Sequence, residues 1–113
     1  MTKGKVVLVP FPFDDLSATK VRPAVCLTNP IGVHRHVVLA FTTSQVPTPL
    51  ANSDIVLDTQ DPDFSTTGLR ASSTLRLHRL MTATISIIQR ELGELSPRMQ
   101  AEVNAKLRDL FEL

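Results

Sequence analysis

The apolar residues of this chain come in short runs that turns and prolines interrupt, and this spacing limits the fold more than any other feature. Most of the runs alternate apolar and polar side chains over four to eight residues, as half-buried strands do. The pattern predicts five strands, at residues 6–13, 24–28, 36–43, 54–58 and 73–78. Five short strands with irregular connections indicate a small β-barrel.

Helix is predicted only near the end of the chain. Residues 84–92 can form a short helix that Gly93 ends, and a second helix begins with Ser96 as N-cap and Pro97 in its first turn. On the second helix, apolar side chains recur at steps of three and four residues and form one stripe that can pack on the barrel. The stripe consists of Met99, Val103, Leu107, Leu110 and Phe111. The fold is therefore predicted to be mainly β with a C-terminal α-helix.

Length, charge and cysteine content limit the number of domains, the class of partner and the cellular compartment. The 113 residues, 42% of them hydrophobic, suffice for one core, so residues 1–113 are interpreted as a single domain. The net charge of +1 does not point to nucleic acid, so any such partner must contact a local basic patch. The lone Cys26 allows no intrachain disulfide, and no segment resembles a signal peptide or a membrane span. We therefore expect a cytoplasmic protein without membrane association.

Arg22 is the first candidate functional residue. It ends a polar loop and precedes Pro23, which forces extended backbone, and a buried strand follows directly. A guanidinium on such a rigid base can grip phosphate oxygens through two parallel hydrogen bonds. The same residues are also compatible with a surface arginine whose stem packs over the edge of the barrel.

Two further stretches carry polar side chains at strand positions. "FTTSQ", residues 41–45, turns rich in hydroxyl groups where its strand ends, so Thr43 can face the same ligand as Arg22 if the two strand ends adjoin. In "TLRLH", alternation places Arg76 and His78 on one face and the leucines on the other. Strand hydroxyls that serve only β-propensity, and a solvated strand face, remain the alternatives.

No metal or cofactor site is predicted. The chain lacks a glycine-rich phosphate loop, a serine elbow and paired zinc-binding cysteines. His34 and His36 lie on one face of an extended segment, but no third ligand is near them in the sequence. We interpret them as a polar strand start.

Taken in order, four segments resemble the MazF/PemK family of toxins from toxin–antitoxin systems. They are "GKVVLVPFPF", "RPAVCLTN", "FTTSQ" and "TTGLRASSTLRLHRL", and together they cover nearly the whole chain. The resemblance implies a small SH3-like barrel of the CcdB/PemK type with a terminal helix, and a homodimer. It also implies metal-independent cleavage of single-stranded RNA, and a cognate antitoxin as protein partner.

The resemblance also implies roles for individual residues. Arg22 corresponds to the family's catalytic arginine at a strand start and Thr43 to its catalytic threonine, with Thr42 as the alternative because a one-residue shift reverses the face. Where some relatives carry Arg-x-Asp as acid and base, this chain has Arg76 and His78, and an imidazole can act as a general base near neutral pH. The residues expected to bind RNA are Phe13, Lys20, Thr42, Ser44, Gln45 and Arg76. For Phe13 a half-buried core position is the alternative, because it keeps the alternation of Val9 and Phe11. Residues 14–20 are expected to form a movable lid where the antitoxin docks.

The mechanism expected for such a protein uses the nucleophile that RNA carries. The ribose 2′-hydroxyl attacks the adjacent phosphorus while Arg22 grips the phosphate, Thr43 fixes its position and His78 or another group moves the proton. Two alternatives stay open: a non-catalytic SH3-like barrel that acts on a protein partner, and a decayed nuclease that only binds RNA or antitoxin.

Overall fold

The computed structural model of the protein describes residues 2–11 and 20–113, with Phe11 described in its backbone alone. Within these ranges, six strands form one antiparallel sheet in the order β4-β5-β3-β2-β1-β6. The strands are β1 Lys5–Phe11, β2 Lys20–Cys26, β3 His36–Thr43, β4 Asp54–Leu57, β5 Ser73–Thr84 and β6 Arg90–Glu94. Short 3₁₀ helices occupy Phe64–Thr67 and Ile85–Ile87, and the helix α1 spans Pro97–Phe111.

The long strand β5 pairs with β3 on both sides of an irregularity. Its second half pairs with β3 up to Ala40↔Leu80, but the next ladder pair is Thr42↔Leu75. One residue of β3, Phe41, therefore lies between these pairs against four residues of β5, 76–79, which is an irregularity of the bulge type. In this stretch β5 also pairs with β4, through Asp54↔Arg76. The bulge bends β5 and changes the direction of the side chains that follow it.

The apolar side chains of the sheet form two clusters, one of which α1 covers. Val6, Val25, Ala40, Leu75 and Leu77 belong to the cluster that contacts the helix through its buried Met99 and Val103. The other cluster contains seven buried residues and is flanked by partly buried ones. Its buried members are Val7, Val9, Ala24, Cys26, Val37, Leu39 and Phe41. Neighbouring residues of β1, β2 and β3 thus contribute to two apolar clusters on opposite faces of the sheet.

The start of α1 follows from its sequence. The Ser96 side chain accepts a hydrogen bond from the Met99 backbone N–H at 3.2 Å, and Pro97 occupies the first turn, where a missing N–H costs nothing. Leu107 and Leu110 pack partly against the sheet. Phe111 does not complete the predicted stripe, because it is 55% exposed at the last helical residue.

Gly68 lets the loop before β5 approach β6 closely. Its φ of +72° lies in the left-handed region, and a Cβ at this position would lie 2.0 Å from the Leu92 carbonyl oxygen. Gly93 faces the same contact, since its Cβ would lie 2.3 Å from the Thr66 carbonyl oxygen. Neither position accommodates a larger residue without moving backbone. The two glycines thus hold the 3₁₀ helix Phe64–Thr67 against β6.

The prediction of a mainly β fold with a C-terminal helix is confirmed, and β3 has the predicted bounds of 36–43. The predicted helix at residues 84–92 is wrong. A 3₁₀ helix and β6 occupy this stretch, because its backbone groups bond to β1: Gln89 N–H donates to the Leu8 carbonyl at 2.9 Å, and Glu91 pairs with Val7. Partners distant in sequence outweighed the local apolar spacing.

Of the helices in the described ranges, none has the length and apolar character to cross a membrane.

Candidate functional site

Antiparallel pairing brings Arg22 and Thr43 to the same edge of the sheet. The start of β2 lies beside the end of β3, with Ala24 opposite Phe41. Continued by two residues, this register places Arg22 opposite Thr43. The Thr42 hydroxyl donates to the Pro23 carbonyl at 3.0 Å and ties the two strand ends together. The two segments that the sequence left unconnected therefore adjoin.

An open cleft of about 360 Å³ lies at this edge, and we call it the arginine cleft. It is lined by Arg22, Phe41, Thr42, Thr43, Ser44, Gln45, Arg76 and Arg79. The described lining thus combines three guanidinium groups with hydroxyl and amide groups, and it includes no carboxylate or imidazole. A concave surface of this composition favours an anion with several oxygen atoms, such as a phosphate.

The two neighbouring threonines of the cleft differ in accessibility. Thr42 is buried and uses its hydroxyl hydrogen on the Pro23 carbonyl. Thr43 is half-buried, and its Oγ1 accepts a hydrogen bond from the Gln45 backbone N–H at 3.3 Å. As an acceptor, this hydroxyl keeps its own hydrogen available for a ligand. Of the two, Thr43 is better placed to donate to an anion in the cleft.

Arg76 enters the cleft from β5 and is held by a carboxylate on β4. Its Nε donates to Asp54 Oδ1 at 2.9 Å and its Nη2 to Oδ2 at 3.4 Å. The Asp54 side chain is completely buried, whereas that of Arg76 is 27% exposed. Asp54 Oδ2 also accepts from the Ala51 backbone N–H at 2.8 Å. Asp54 is a part of the site that the sequence patterns did not indicate, because it lies 22 residues from Arg76.

The structure places His78 outside the described lining of the arginine cleft. Its side chain is exposed, and Nδ1 lies 2.7 Å from the Ser53 hydroxyl oxygen. The exposed Lys20, at the start of β2, is not among the lining residues either. Phe13 and residues 14–19 of the expected lid lie outside the described residues. The roles assigned to His78, Lys20 and Phe13 stay predictions.

Arg79 is a cleft residue that alternation could not find. Period-two spacing puts residue 79 on the same side as Leu75 and Leu77, both of which are buried in the core. The bulge between the β3 and β5 ladder pairs breaks this alternation, so Arg79 lines the cleft while Leu80 packs on the core. A strand sequence does not by itself reveal a bulge of this kind.

The thiol of Cys26 and the imidazoles of His34 and His36 do not form a further reactive site in the described residues. Cys26 is buried, and burial raises the pKa of its thiol to about 11, with a further contribution from the charge of Glu91. A thiol that stays protonated at neutral pH is a weak nucleophile.

His34 and His36 have ring centroids 5.9 Å apart. In residues 2–11 and 20–113, no three His, Cys, Asp or Glu side chains cluster as a metal site requires.

Comparison with solved structures shows the same fold in two endoribonucleases from mycobacterial species. One, solved in complex with its cognate antitoxin, has a TM-score of 0.74 at 15% identity, and the match covers 100% of this chain and 96% of the other. The second has a TM-score of 0.70 at 17% identity, with 100% and 92% covered. No curated protein sequence matches the chain. The family model described as "PemK-like, MazF-like toxin of type II toxin-antitoxin system" matches residues 2–111.

Proposed function

The chain belongs to the PemK-like, MazF-like family of toxins of type II toxin–antitoxin systems, and from this premise we propose that it is an endoribonuclease that cleaves single-stranded RNA. The observation that carries the proposal is that Arg22 and Thr43 line one cleft together with Arg76 and Arg79. Two structures of the same fold are endoribonucleases, which supports the same activity here.

The lining of the cleft suits a phosphodiester of the RNA backbone. A guanidinium offers a planar pair of N–H donors that matches two phosphate oxygens, and three such groups converge on this cleft. The cleft is open to solvent, so a phosphodiester of a single strand can reach the lining residues. Cleavage further requires a ribose 2′-hydroxyl next to the phosphate, so DNA is not a substrate.

In the proposed reaction, the 2′-oxygen forms a bond to phosphorus while the bond from phosphorus to the 5′-oxygen breaks. The products are a 2′,3′-cyclic phosphate and a 5′-hydroxyl. Arg22 binds the non-bridging oxygens, on which charge accumulates, and the Thr43 hydroxyl donates to the same phosphate and fixes its orientation. Arg76 and Arg79 add positive charge at the adjoining positions.

Among the described lining residues none is suited to transfer the protons, and we propose that water does so. The described lining includes no carboxylate or imidazole, and arginine stays protonated in proteins. Water in the open cleft takes the 2′-proton and another water protonates the leaving 5′-oxygen. Positioning and electrostatic stabilisation then supply the rate. His78→Ala is accordingly expected to change the cleavage rate less than about threefold, whereas a loss of about 100-fold would restore the imidazole as general base.

We further propose that the reaction is metal-independent, because three guanidinium groups supply the positive charge that a metal would otherwise bring to the phosphate. A cognate antitoxin as partner is proposed from the family and from the related structure solved with its antitoxin. A homodimer and a cytoplasmic location are proposed from the family resemblance. Light scattering coupled to gel filtration tests the dimer directly.

The decisive experiment compares the wild type with Arg22→Ala in the presence of a chelator. The substrates are a mixed-sequence RNA and the same RNA with one 2′-deoxy nucleotide at a mapped cleavage position. The wild type is expected to cut the RNA but not the deoxy position, and Arg22→Ala to lose about 100-fold to 1,000-fold in rate. Arg98→Ala is the matched control, because Arg98 lies on α1 outside the cleft lining.

Equal rates for the wild type and Arg22→Ala, or cleavage at the deoxy position, would overturn the proposal. The absence of a titratable base from the described lining also supports an alternative, namely a protein that binds RNA at this cleft without cutting it. Anisotropy measurements with labelled RNA distinguish the two, since the alternative predicts Arg22-dependent binding with no cut ends.

A further inference from the structure

Asp54 is fixed in place by contacts on both its backbone and its side chain. Its backbone N–H donates to the Ala51 carbonyl at 3.0 Å, and it pairs with Arg76 across the β4–β5 ladder. Next to it, the Ser53 carbonyl accepts from the Leu77 N–H at 3.0 Å and the Ser53 hydroxyl contacts His78. The carboxylate therefore stands on a rigid part of the sheet.

Asp54 constrains the orientation of the Arg76 guanidinium. Two hydrogen bonds to one carboxylate fix both the position and the plane of the group, which one contact would leave free to rotate. They engage two of its five N–H donors, so three are not used by Asp54. Arg76 lines the arginine cleft and is partly exposed there, while Asp54 is completely buried.

Resting on the proposed function, we propose that Asp54 is the positioning residue that holds the Arg76 guanidinium against the RNA phosphate backbone. The carboxylate that bonds to Arg76 belongs to the neighbouring strand β4. It does not come from the position two residues after Arg76 on β5, which His78 occupies and where the imidazole contacts Ser53. Asp54 acts through Arg76 and touches no reacting atom. Oδ1 accepts from Arg76, and Oδ2 accepts from both Arg76 and the Ala51 N–H.

A positioning role and a purely electrostatic one predict different changes in kinetics. Removal of the negative charge of Asp54 makes the surroundings of the cleft more positive, which by itself strengthens the attraction of RNA. Asp54→Asn leaves one oxygen acceptor in place of two, so Arg76 loses at least one of its two hydrogen bonds and can rotate, which misplaces charge in the transition state. Asp54→Asn is therefore expected to lower kcat about tenfold without raising KM.

The test is a double-mutant cycle of Asp54→Asn and Arg76→Gln, read by single-turnover cleavage of a defined RNA. The Asp54→Asn substitution keeps the shape of the side chain, and its amide oxygen can still accept from the Ala51 N–H. If Asp54 acts through Arg76, Asp54→Asn lowers the rate about tenfold in the wild type and less than about twofold in the Arg76→Gln background. Asp61→Asn is the matched control, since Asp61 pairs with Arg98 away from the cleft, and it should leave kcat and KM unchanged.

Each result of the cycle decides a separate question. Equal losses in both backgrounds, or no loss in the wild-type background, would overturn the positioning role while the proposed function stands. A wild type that cuts no RNA overturns the proposed function, and the positioning role with it. Urea denaturation checks that each variant is folded. If Arg76→Gln is not, Arg76→Lys serves as background, because an ammonium keeps the charge without the planar pair of donors.

Discussion

Two pairings between an arginine and aspartates in this molecule use the same chemical groups in different surroundings. In the cleft, Arg76 bonds to Asp54, whose side chain is completely buried. On the surface, Arg98 at the start of α1 is 56% exposed and bonds to Asp61 Oδ1 at 2.6 Å and to Asp63 Oδ2 at 3.3 Å. A buried pair is costly to break, whereas an exposed pair contributes little. We therefore expect the loss of the buried pair to destabilise the fold and the loss of the exposed pair to have little effect on stability.

The largest contrast is expected when each arginine is removed. Arg76→Ala leaves the buried Asp54 carboxylate without its cation and should lower the free energy of unfolding by about 3 kcal/mol at neutral pH. Arg98→Ala, the surface counterpart, leaves carboxylates that water can solvate and should barely change the urea midpoint. Similar losses for the two variants in urea denaturation would break the comparison.

RNA binding should separate the same two arginines. Neutralisation of phosphates by the three cleft arginines predicts a slope of log Kd against log salt of about 2, or roughly a 20-fold weakening between about 50 and 200 mM salt. Arg76→Ala or Arg79→Ala should reduce this slope by about 0.7, and Arg98→Ala should not change it. Fluorescence anisotropy with a 2′-deoxy-substituted RNA avoids cleavage during the titration. A reduced slope for Arg98→Ala would extend the binding surface to α1.

A neutral replacement of the buried Asp54–Arg76 pair tests whether the pair serves stability or RNA cleavage. Asp54→Asn combined with Arg76→Gln removes both charges and keeps a hydrogen-bonding pair, so stability should stay within about 1 kcal/mol of the wild type. Cleavage should nevertheless stay low, because the cleft has lost a guanidinium. Chemical denaturation and cleavage assays on one preparation measure both. Full activity of this double variant would refute a functional role for the pair.

The smallest effect concerns the surface pair and pH. The Asp63 backbone N–H, followed by the hydrogen bond from Arg98, lowers the pKa of Asp61 from its ordinary value of 3.8. A carboxyl whose pKa is lower in the folded state adds stability above pH 3.8 and loses it as the pH falls through the folded-state pKa. The difference in stability between the wild type and Asp61→Asn should therefore vanish in strong acid. Urea denaturation across this range checks the sign, and a difference that grows on acidification would contradict it.

The sequence predicted well where structure depends on neighbours along the chain. The bounds of β3 and the Ser96 cap with Pro97 follow from local alternation and turn chemistry. The stretch 84–92 failed because Ile85, Ile88 and Leu92 have helical spacing, while its backbone found hydrogen-bond partners on β1. A pattern of neighbouring residues cannot predict a hydrogen-bond partner that lies about 80 residues away in the sequence.

The candidate site divides in the same way. Arg22, Thr43 and Arg76 could be named because each stands at a strand position that its own sequence neighbours define. Arg79 and Asp54 could not: the first reaches the cleft through a bulge, and the second contacts Arg76 across 22 residues of chain. The role expected for His78 rested on the family resemblance and stays a prediction, while its contact with Ser53, beside the neighbouring strand β4, could not be inferred from the sequence.

By itself, the sequence determined which side chains are available and which faces of the strands are apolar, because both follow from residue type and from the period of the backbone. Only the tertiary structure decided which of the polar groups meet. Antiparallel pairing joined Arg22 to Thr43 and placed Arg76 opposite the buried Asp54, and the irregularity in β5 turned Arg79 into the cleft. These meetings depend on hydrogen bonds and ion pairs between distant segments, which form only after the chain has folded back on itself.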